Sequence, residues 1–486
     1  MNLKTLIRDV NSARIVGPNT ENWESVWVKG LSDDSRYLRA GDLFFCRTGA
    51  NVDTHEFAEE AKRKGAVALI CERELSVDLP QIVVDDCRET MAAVAATFYG
   101  YPAGRLKVIG ITGTNGKTTV SHMLASVLRS AGKTVGVIGT LGIFYGRKKI
   151  APELTTPDPI FLQRTLADMA QEGVEYAVME VSAHALHYKK DATIRYAACI
   201  FTNFTQDHLD FFPSMQEYAE AKENLFVKKK CDVCVLNGDD SLGRKIGEER
   251  QDGVFYYGLE TPCDAFAIVK GDSVYGSELV LNVLDDLGRC RLSMTGKHNV
   301  YNALAAATCA RLLGVSMEAI ERGLSEIRSV KGRLELIAEW NGAQIFVDFA
   351  HTPDGIEKSL SALKAHASGR LICVFGCGGN RDKSKRPIMG ERVASIADFA
   401  VLTSDNPRYE DPMDIISAIE KGYRKVSNKY AIVPDREKAI EYAMAILERG
   451  DILLVAGKGG ESHQEIMGIK YLLSDDDIIK KLAGEI

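Results

Sequence analysis

One stretch of this chain leaves little freedom in the fold around it. Gly110-Ile111-Thr112-Gly113-Thr114-Asn115-Gly116-Lys117-Thr118-Thr119 joins an apolar run, Leu106–Ile111, to a helical pattern from about Lys117 to Ala131. Glycines let such a turn wrap closely, so that backbone N–H groups and a helix N-terminus face phosphate oxygens. Lys117 then reaches the outer phosphates, and a Thr hydroxyl can hold Mg²⁺. The arrangement needs a strand that hands over to a helix, and the next apolar run, Thr134–Ile138, completes a βαβ unit. Ile111 stands where a strict G-x-x-x-x-G-K-[ST] has its first glycine, so a glycine-rich turn without a ligand is the alternative reading.

The chain has 486 residues, more than one ordinary core supports, and its 45% apolar and 26% charged residues are globular in balance. Pattern divides it into three blocks. Residues 1–103 carry short apolar runs at Asp42–Cys46 and Ala66–Cys71, with helical stretches at Ala58–Lys64 and Thr90–Tyr99, and end in the breaker Tyr101-Pro102-Ala103-Gly104. Residues 104–331 hold the phosphate loop, further strand candidates at Tyr176–Met179 and Ala198–Phe201, a β excursion over 265–295 and a helix at Asn299–Leu312. Residues 332–486 restart the alternation, with strands expected at Gln344–Asp348, Leu371–Phe375, Phe399–Leu402 and Ile452–Val455. The expected fold is therefore α/β in three domains. A small α/β domain comes first, then a mostly parallel P-loop-type sheet with helices on both faces, then a Rossmann-like α/β domain.

A net charge of −7 argues against a nucleic-acid surface, which needs clustered Lys and Arg. No basic leader precedes an apolar segment at Met1–Thr5, and no apolar run approaches about 18 residues, so a cytoplasmic chain without a membrane span is expected. Eleven scattered cysteines suit a reducing compartment. The C-x-x-C at Cys231 and Cys234 lies in a strand-like run and is expected to be two small core residues.

Glu180 follows the strand candidate Tyr176–Met179, where a strand end would set a carboxylate beside the phosphate loop to bind metal; a solvent-facing Glu is the alternative. Asn203-Phe204-Thr205-Gln206-Asp207-His208-Leu209-Asp210 follows the strand ending at Phe201. A histidine flanked by carboxylates there can ligate a metal, orient water or serve packing.

The phosphate loop, Glu180-Val181-Ser182 and Asp207-His208-Leu209-Asp210, in this order, resemble the Mur ligase family. The resemblance extends through Gly296-Lys297-His298-Asn299, Gly332-Arg333, Val347-Asp348-Phe349-Ala350-His351, Gly376–Lys383, Asp405-Asn406-Pro407-Arg408 and Gly457-Lys458-Gly459-Gly460-Glu461. It implies an ATP- and Mg²⁺-dependent amide ligase of peptidoglycan precursor synthesis, acting through an acyl phosphate. Its implied ATP contacts are Gly113, Thr114, Asn115, Gly116, Lys117, Thr118, Thr119, Asn299, Arg333 and Asp348. Its implied metal and catalytic groups are Thr118, Glu180, His208 and Lys222, the last as a carbamate, with Lys117 on the transferring phosphate and His351 nearby.

By the same resemblance UDP-N-acetylmuramoyl-L-Ala-D-Glu would lie on Asp34-Ser35-Arg36, the loop Gly49-Ala50-Asn51, Thr155, Thr156, Ser182, Tyr188 and Lys190. Leu154, Tyr188 and Lys190 stand where Asn, Gln and Arg are usual in the family, and Gly460 where a His is. Arg381, Asp405, Asn406, Pro407, Arg408, Gly457 and Glu461 would hold the added amino acid. Arg408 suits a second carboxylate, as in meso-diaminopimelate rather than L-lysine, and Glu461 a distal ammonium. The protein would act as a monomer. Relatives that add D-glutamate, D-Ala-D-Ala or folate glutamates compete with this reading, as does a P-loop NTPase switch.

Overall fold

Continuous apolar runs imply strands covered on both faces, and the computed structural model, which describes residues 1–10, 13–17, 22–49, 52–151 and 153–485, bears this out. Within these residues the chain forms two compact units. The first comprises Met1–Gly110, Thr134–Cys199 and Asn224–Asp232; the second comprises Ile111–Lys133, Ile200–Glu223 and Val233–Ile486.

In the first unit, five strands lie in the order Arg14–Val16, Gln81–Val83, Ala68–Cys71, Asp42–Phe45 and Gly30–Ser32. Only the first pair is antiparallel. Leu43 and Phe45 pack with Ala68, Ile70 and Ile82 against Met91 and Val94 of the helix Cys87–Phe98. The alternate residues Phe44, Cys46 and Leu69 meet Ala58 and Ala61 of the helix Ala58–Arg63. The second helix starts three residues before its expected position because Asp86 caps it, accepting from the N–H groups of Arg88 and Glu89. The unit also pairs Tyr176–Glu180 in parallel with Val135–Gly139, and extends the latter by the antiparallel strands Gly142–Tyr145 and Lys148–Ile150.

The second unit holds the helix Lys117–Ser130 and the parallel strands Cys234–Asn237, Val254–Tyr257 and Ala265–Ser273. Gly276–Val283 and Asp286–Leu292 add to these antiparallel, which accounts for the β excursion, and the helix Lys297–Leu312 follows. Cys234, at the start of its strand, and Cys231, of the first unit, are both buried, and among the described residues neither forms a disulfide.

Beyond Gly332 a six-stranded sheet runs in the order Glu335–Trp340, Ala343–Asp348, Ile452–Ala456, Leu371–Phe375, Phe399–Leu402, Tyr430–Ile432. It is parallel except for the first pair. The helices Pro353–Lys364, Lys385–Ile396 and Pro412–Tyr423 cover one face; Arg436–Ala445 and Asp475–Leu482 cover the other. This is the doubly wound pattern, and its ligand-binding edge lies outside the carboxyl ends of the strands. Asp348, Gly376, Thr403 and Gly457 end or follow those strands.

Candidate active site

The phosphate loop leaves the strand Lys107–Thr112 and enters the helix at Lys117. Gly113 has φ +144°, and a Cβ on it would lie 1.9 Å from Thr202 Oγ1; Gly116, at φ +89°, would meet Asn302 Oδ1 at 2.6 Å. Only glycine fits both positions. Thr114 N donates to Asn203 O (2.8 Å), Asn115 N to Asn203 Oδ1 (2.9 Å) and Thr202 Oγ1 to Asn115 O (2.6 Å), so a neighbouring strand exit braces the loop. Lys117 Nζ curls back onto Gly113 O (2.8 Å) and Thr114 O (2.9 Å). The helix has no side-chain cap and no acid in its first turn, so its N–H groups and dipole face an anion site. Ile111, in place of a first glycine, is a fully buried strand residue.

Three sequence-predicted residues converge beside this loop. Arg333 donates from NH2 to Thr118 Oγ1 (2.9 Å) and stacks over Phe349 (4.4 Å). Asp348 accepts from Ser359 Oγ (2.7 Å) and Ala350 N (3.0 Å), while burial pushes its carboxyl upward. Asn299 donates to Thr295 O (2.8 Å) and accepts from Asn302 (3.1 Å). Together they line a cavity of about 770 Å³ with Asn115, Gly116 and Thr119, a volume in the ordinary range for small-molecule sites.

Sequence reasoning missed the far wall of this cavity. Asp239 gathers N–H groups of Leu259 (2.6 Å), Glu260 (3.0 Å) and Thr261 (2.8 Å), and Tyr301 OH (2.8 Å). Burial is the largest influence on Asp239 and raises its pKa, but these bonds, Thr261 foremost, win and hold it at about 2. Its position just after the strand Cys234–Asn237 is the signal that could have found it.

Lys222, on the helix Met215–Glu223, is 1% exposed, and among the described residues no hydrogen bond or ion pair ends on its Nζ, which lies 4.4 Å from the Tyr218 ring centre. Burial, and then the Lys117 charge, lower its pKa well below the ordinary lysine value. A neutral amine is the form that can take up CO₂ as a carbamate. Asp207 stands 3.3 Å from Lys385, 3.4 Å from His208 and 3.5 Å from His351. Burial opposes its ionisation, yet these partners, His351 first, hold it well below the usual range. His208 itself sits at φ +56°, uncommon for a residue with a side chain.

In the first unit Glu180 is 1% exposed and accepts from Thr140 N (2.9 Å) and Thr140 Oγ1 (3.0 Å), which excludes the solvent-facing reading. Gly139 is required there, since a Cβ would lie 2.0 Å from Glu180 Oε1. Thr156 Oγ1 donates to Glu180 O (2.9 Å) and accepts from Ser182 N (3.0 Å), while Thr155 meets Thr140 (3.2 Å). Thr155, Thr156, Glu180 and Ser182 are thus one cluster. Tyr188 lies under the Arg88 guanidinium (4.4 Å), and Lys190 pairs with Asp158 (2.8 Å).

Ser35 and Arg36 line a separate cavity of about 1340 Å³ in the same unit, with Arg39, Arg47 and Arg164, none of which sequence reasoning singled out. Among the described residues Arg47 Nε is buried there without a hydrogen-bond partner, while its NH2 donates to Asp33 (3.3 Å), which leaves a donor to offer an anionic ligand. Leu154 and Asp158 line this cavity, whereas Thr155, Thr156, Ser182, Tyr188 and Lys190 do not. Ala50 and Asn51 lie outside the described residues.

The third group is built on two loops of the C-terminal sheet. Asn406 donates to Glu461 (3.0 Å), and fully buried Lys458 donates to Asn406 Oδ1 (3.2 Å), Glu461 (3.1 Å) and His463 O (2.5 Å). A Cβ on Gly457 would meet Asp405 Oδ2 at 2.6 Å, and one on Gly379 would meet Pro407 O at 1.9 Å. Arg408 donates to Glu465 (3.0 Å) and Gly379 O (2.8 Å). Asp405, Asn406, Pro407, Arg408, Gly457 and Glu461 therefore come together, and Arg381 stands 3.8 Å from Asp210. The stem of Lys331 fills the space beside Gly460, 3.0 Å from an ideal Cβ. Glu465 went unnoticed in the sequence, and Lys458 was quoted within a motif but given no role.

Three family models match the chain. Residues 28–99 match "Mur ligase family, catalytic domain", residues 111–310 "Mur ligase middle domain" and residues 332–459 "Mur ligase, glutamate ligase domain". The UDP-N-acetylmuramoyl-L-alanyl-D-glutamate--2,6-diaminopimelate ligase of Geobacillus thermodenitrificans is 40% identical over 463 residues, 94% of each chain. Its counterpart in Caldanaerobacter subterraneus subsp. tengcongensis is 39% identical over 488 residues, 100% of this chain and 99% of the other. A solved structure of a ligase of that name superposes with TM-score 0.67 at 31% identity, covering 95% of this chain and 96% of its own. The MurF ligase of Thermotoga maritima, solved with ADP, shares the fold at TM-score 0.66 and 21% identity, covering 95% and 98%.

Proposed function

This chain belongs to the Mur ligase family, and we propose that it joins meso-diaminopimelate to UDP-N-acetylmuramoyl-L-Ala-D-Glu with hydrolysis of ATP. The observation that carries the choice of amino acid is the Asn406–Glu461 and Arg408 arrangement. It sets a carboxylate and a guanidinium on neighbouring loops, and diaminopimelate ends in both an ammonium and a carboxylate. L-Lysine has no distal carboxylate for Arg408 to pair with.

The chemistry follows from a carboxylate's poor electrophilicity. The D-Glu carboxylate attacks the γ-phosphorus of ATP, ADP leaves, and the amine then attacks the acyl phosphate to give the amide, inorganic phosphate and a proton. Lys117, the uncapped helix N-terminus and Arg333 are positioned to offset charge on the phosphates, and the aligned N–H groups need no reorganisation to do so. Thr118, Glu180, His208 and Lys222 as a carbamate are the residues that would hold Mg²⁺, and the ion would supply positive charge to offset that developing on the phosphates. Among the described residues no cluster of three His, Cys, Asp or Glu could hold a metal. The carbamate would turn a buried amine into an anionic oxygen ligand, and the lowered pKa of Lys222 favours its formation.

The remaining assignments belong to the same proposal. Asn299 and Asp348 hold the nucleotide; Ser35, Thr155, Thr156, Ser182, Tyr188 and Lys190 serve the UDP-sugar; Arg381, Asp405, Pro407 and Gly457 help to bind the incoming amino acid. Residues 1–103, 104–331 and 332–486 act as UDP-sugar, ATP and amino-acid domains of a cytoplasmic monomer that needs neither membrane nor nucleic acid. Among the described residues no helix is long and apolar enough to cross a membrane.

The test is phosphate release with ATP, Mg²⁺ and the UDP-dipeptide, comparing meso-diaminopimelate, L-lysine and no amino acid, with product masses checked. Diaminopimelate-dependent release that yields the UDP-tripeptide is expected. Lysine preference would overturn the role of Arg408, and release indifferent to both substrates would point to an NTPase.

A further inference from the structure

The pocket assigned to the distal end of the amino acid contains one carboxylate more than that reading uses. Glu465, on the strand His463–Ile466, accepts from Arg408 Nε through Oε2 at 3.0 Å, and the two side chains are 26% and 20% exposed. Neighbouring backbone fixes the contact. Arg408 N donates to Glu465 O (3.0 Å) and Met467 N to Arg408 O (2.8 Å), so the strand is bonded along Arg408 itself. Arg408 is held at φ +53°, and its NH1 is turned onto Gly379 O (2.8 Å). Two of the three guanidinium nitrogens are therefore engaged by the protein, and among the described residues NH2 has no hydrogen bond.

A guanidinium recognises a carboxylate best as a fork, with two parallel N–H bonds and a full charge. Here its Nε edge and much of its charge are already answered by Glu465. The second pair in the pocket is balanced as well, since Lys458 donates to Glu461 at 3.1 Å. These two pairs alone set two cations against two anions before any ligand arrives. A ligand carboxylate must share Arg408 with Glu465, while a ligand ammonium gains from Glu465 as well as from Glu461.

We propose that Glu465 is a specificity-determining positioning residue: it orients Arg408 and at the same time weakens the preference for an amino acid with a distal carboxylate over one with only a distal ammonium. The inference rests on the diaminopimelate reading given above.

Glu465→Gln keeps an oxygen acceptor for Arg408 Nε and removes the charge. With the full chain, ATP, Mg²⁺ and UDP-dipeptide, KM and kcat are measured for meso-diaminopimelate, and L-lysine is measured as substrate and as competitor. The expected result is a KM for diaminopimelate lowered about fivefold, the scale of one part-exposed ion pair, with weaker lysine binding, so that discrimination rises. Glu465→Ser, which withdraws the group altogether, should also raise the ratio of diaminopimelate to lysine. A merely structural Glu465 predicts loss toward both amino acids. An unchanged or lowered ratio in either variant, with wild-type melting behaviour retained, overturns the proposal. Absence of diaminopimelate-dependent ligation by the wild-type protein would instead overturn the reading on which it rests.

Discussion

Lys117 and Lys222 show how differently two lysines of one sequence can be placed. Lys117 donates to two loop carbonyls beside the anion site, so Lys117→Met should lower kcat about 10²–10³-fold, the usual cost of removing one preorganised donor. Melting should barely change, because Lys117 is part-exposed; unfolding of the variant would refute the assignment. Lys222 is buried, among the described residues, with no anionic side chain in contact, and the carbamate reading makes the enzyme's activity depend on dissolved CO₂. Lys222→Arg, which cannot form the carbamate, should lose about two orders of magnitude. Wild-type protein stripped of CO₂ should regain activity with bicarbonate, and full activity without it would remove the carbamate. Lys117 was legible from its local pattern, whereas Lys222, read alone, is a helix-surface lysine that only the family resemblance singled out, and its burial overturns the surface reading. Lys458, Glu465 and Arg47 were not legible, since their meaning lies in partners 52, 57 and 14 residues away.

At the scale of elements, local chemistry set the strands well wherever both faces are covered, as at Leu371–Phe375 and Phe399–Leu402. Helix starts were less legible, because capping moves them: Thr352 caps Pro353–Lys364 by accepting from Gly355 N at 3.1 Å while wholly buried. Thr352→Ala should cost about 1 kcal/mol in a denaturant titration. The helix Asp475–Leu482 carries a second prediction. Asp475 pairs with fully buried Arg436 at 2.7 Å, but Asp476 Oδ1 is buried with no hydrogen-bond partner among the described residues. Burial, and then Glu335, raise the Asp476 pKa to about 6 from 3.8. A folded-state value above the unfolded one means that ionisation disfavours the fold above pH 6, and the penalty fades as pH falls from 6 toward 4. Asp476→Asn should therefore raise the melting temperature at pH 8 and leave it nearly unchanged below pH 4; an equal gain at both would show that charge is not the cause.

For the whole molecule, the sequence divides into three blocks by pattern, whereas contacts divide the chain into two units whose boundary falls at Gly110 and Ile111, inside a strand. Composition and periodicity report what each segment buries, but not which distant segments it joins; the interleaved segments 134–199 and 224–232 of the first unit could not be read locally. The two ligand regions fall on different units. The 770 Å³ cavity beside the phosphate loop is lined by residues of the second, and the 1340 Å³ cavity at Ser35, Arg36 and Arg47 by residues of the first. Hydrogen exchange should separate them. ATP with Mg²⁺ should slow exchange in peptides covering 113–119, 299–302 and 333–350, by up to about a hundredfold at 100 times Kd where opening must release the ligand. UDP alone should protect 32–47 and 157–164 and leave 113–119 unprotected, because its anionic groups would meet the arginines of the other cavity. Protection of the phosphate loop by UDP without ATP, or none there with ATP and Mg²⁺, would mean that the two cavities have been given each other's ligands, and the charge argument from Arg47 would fail with them.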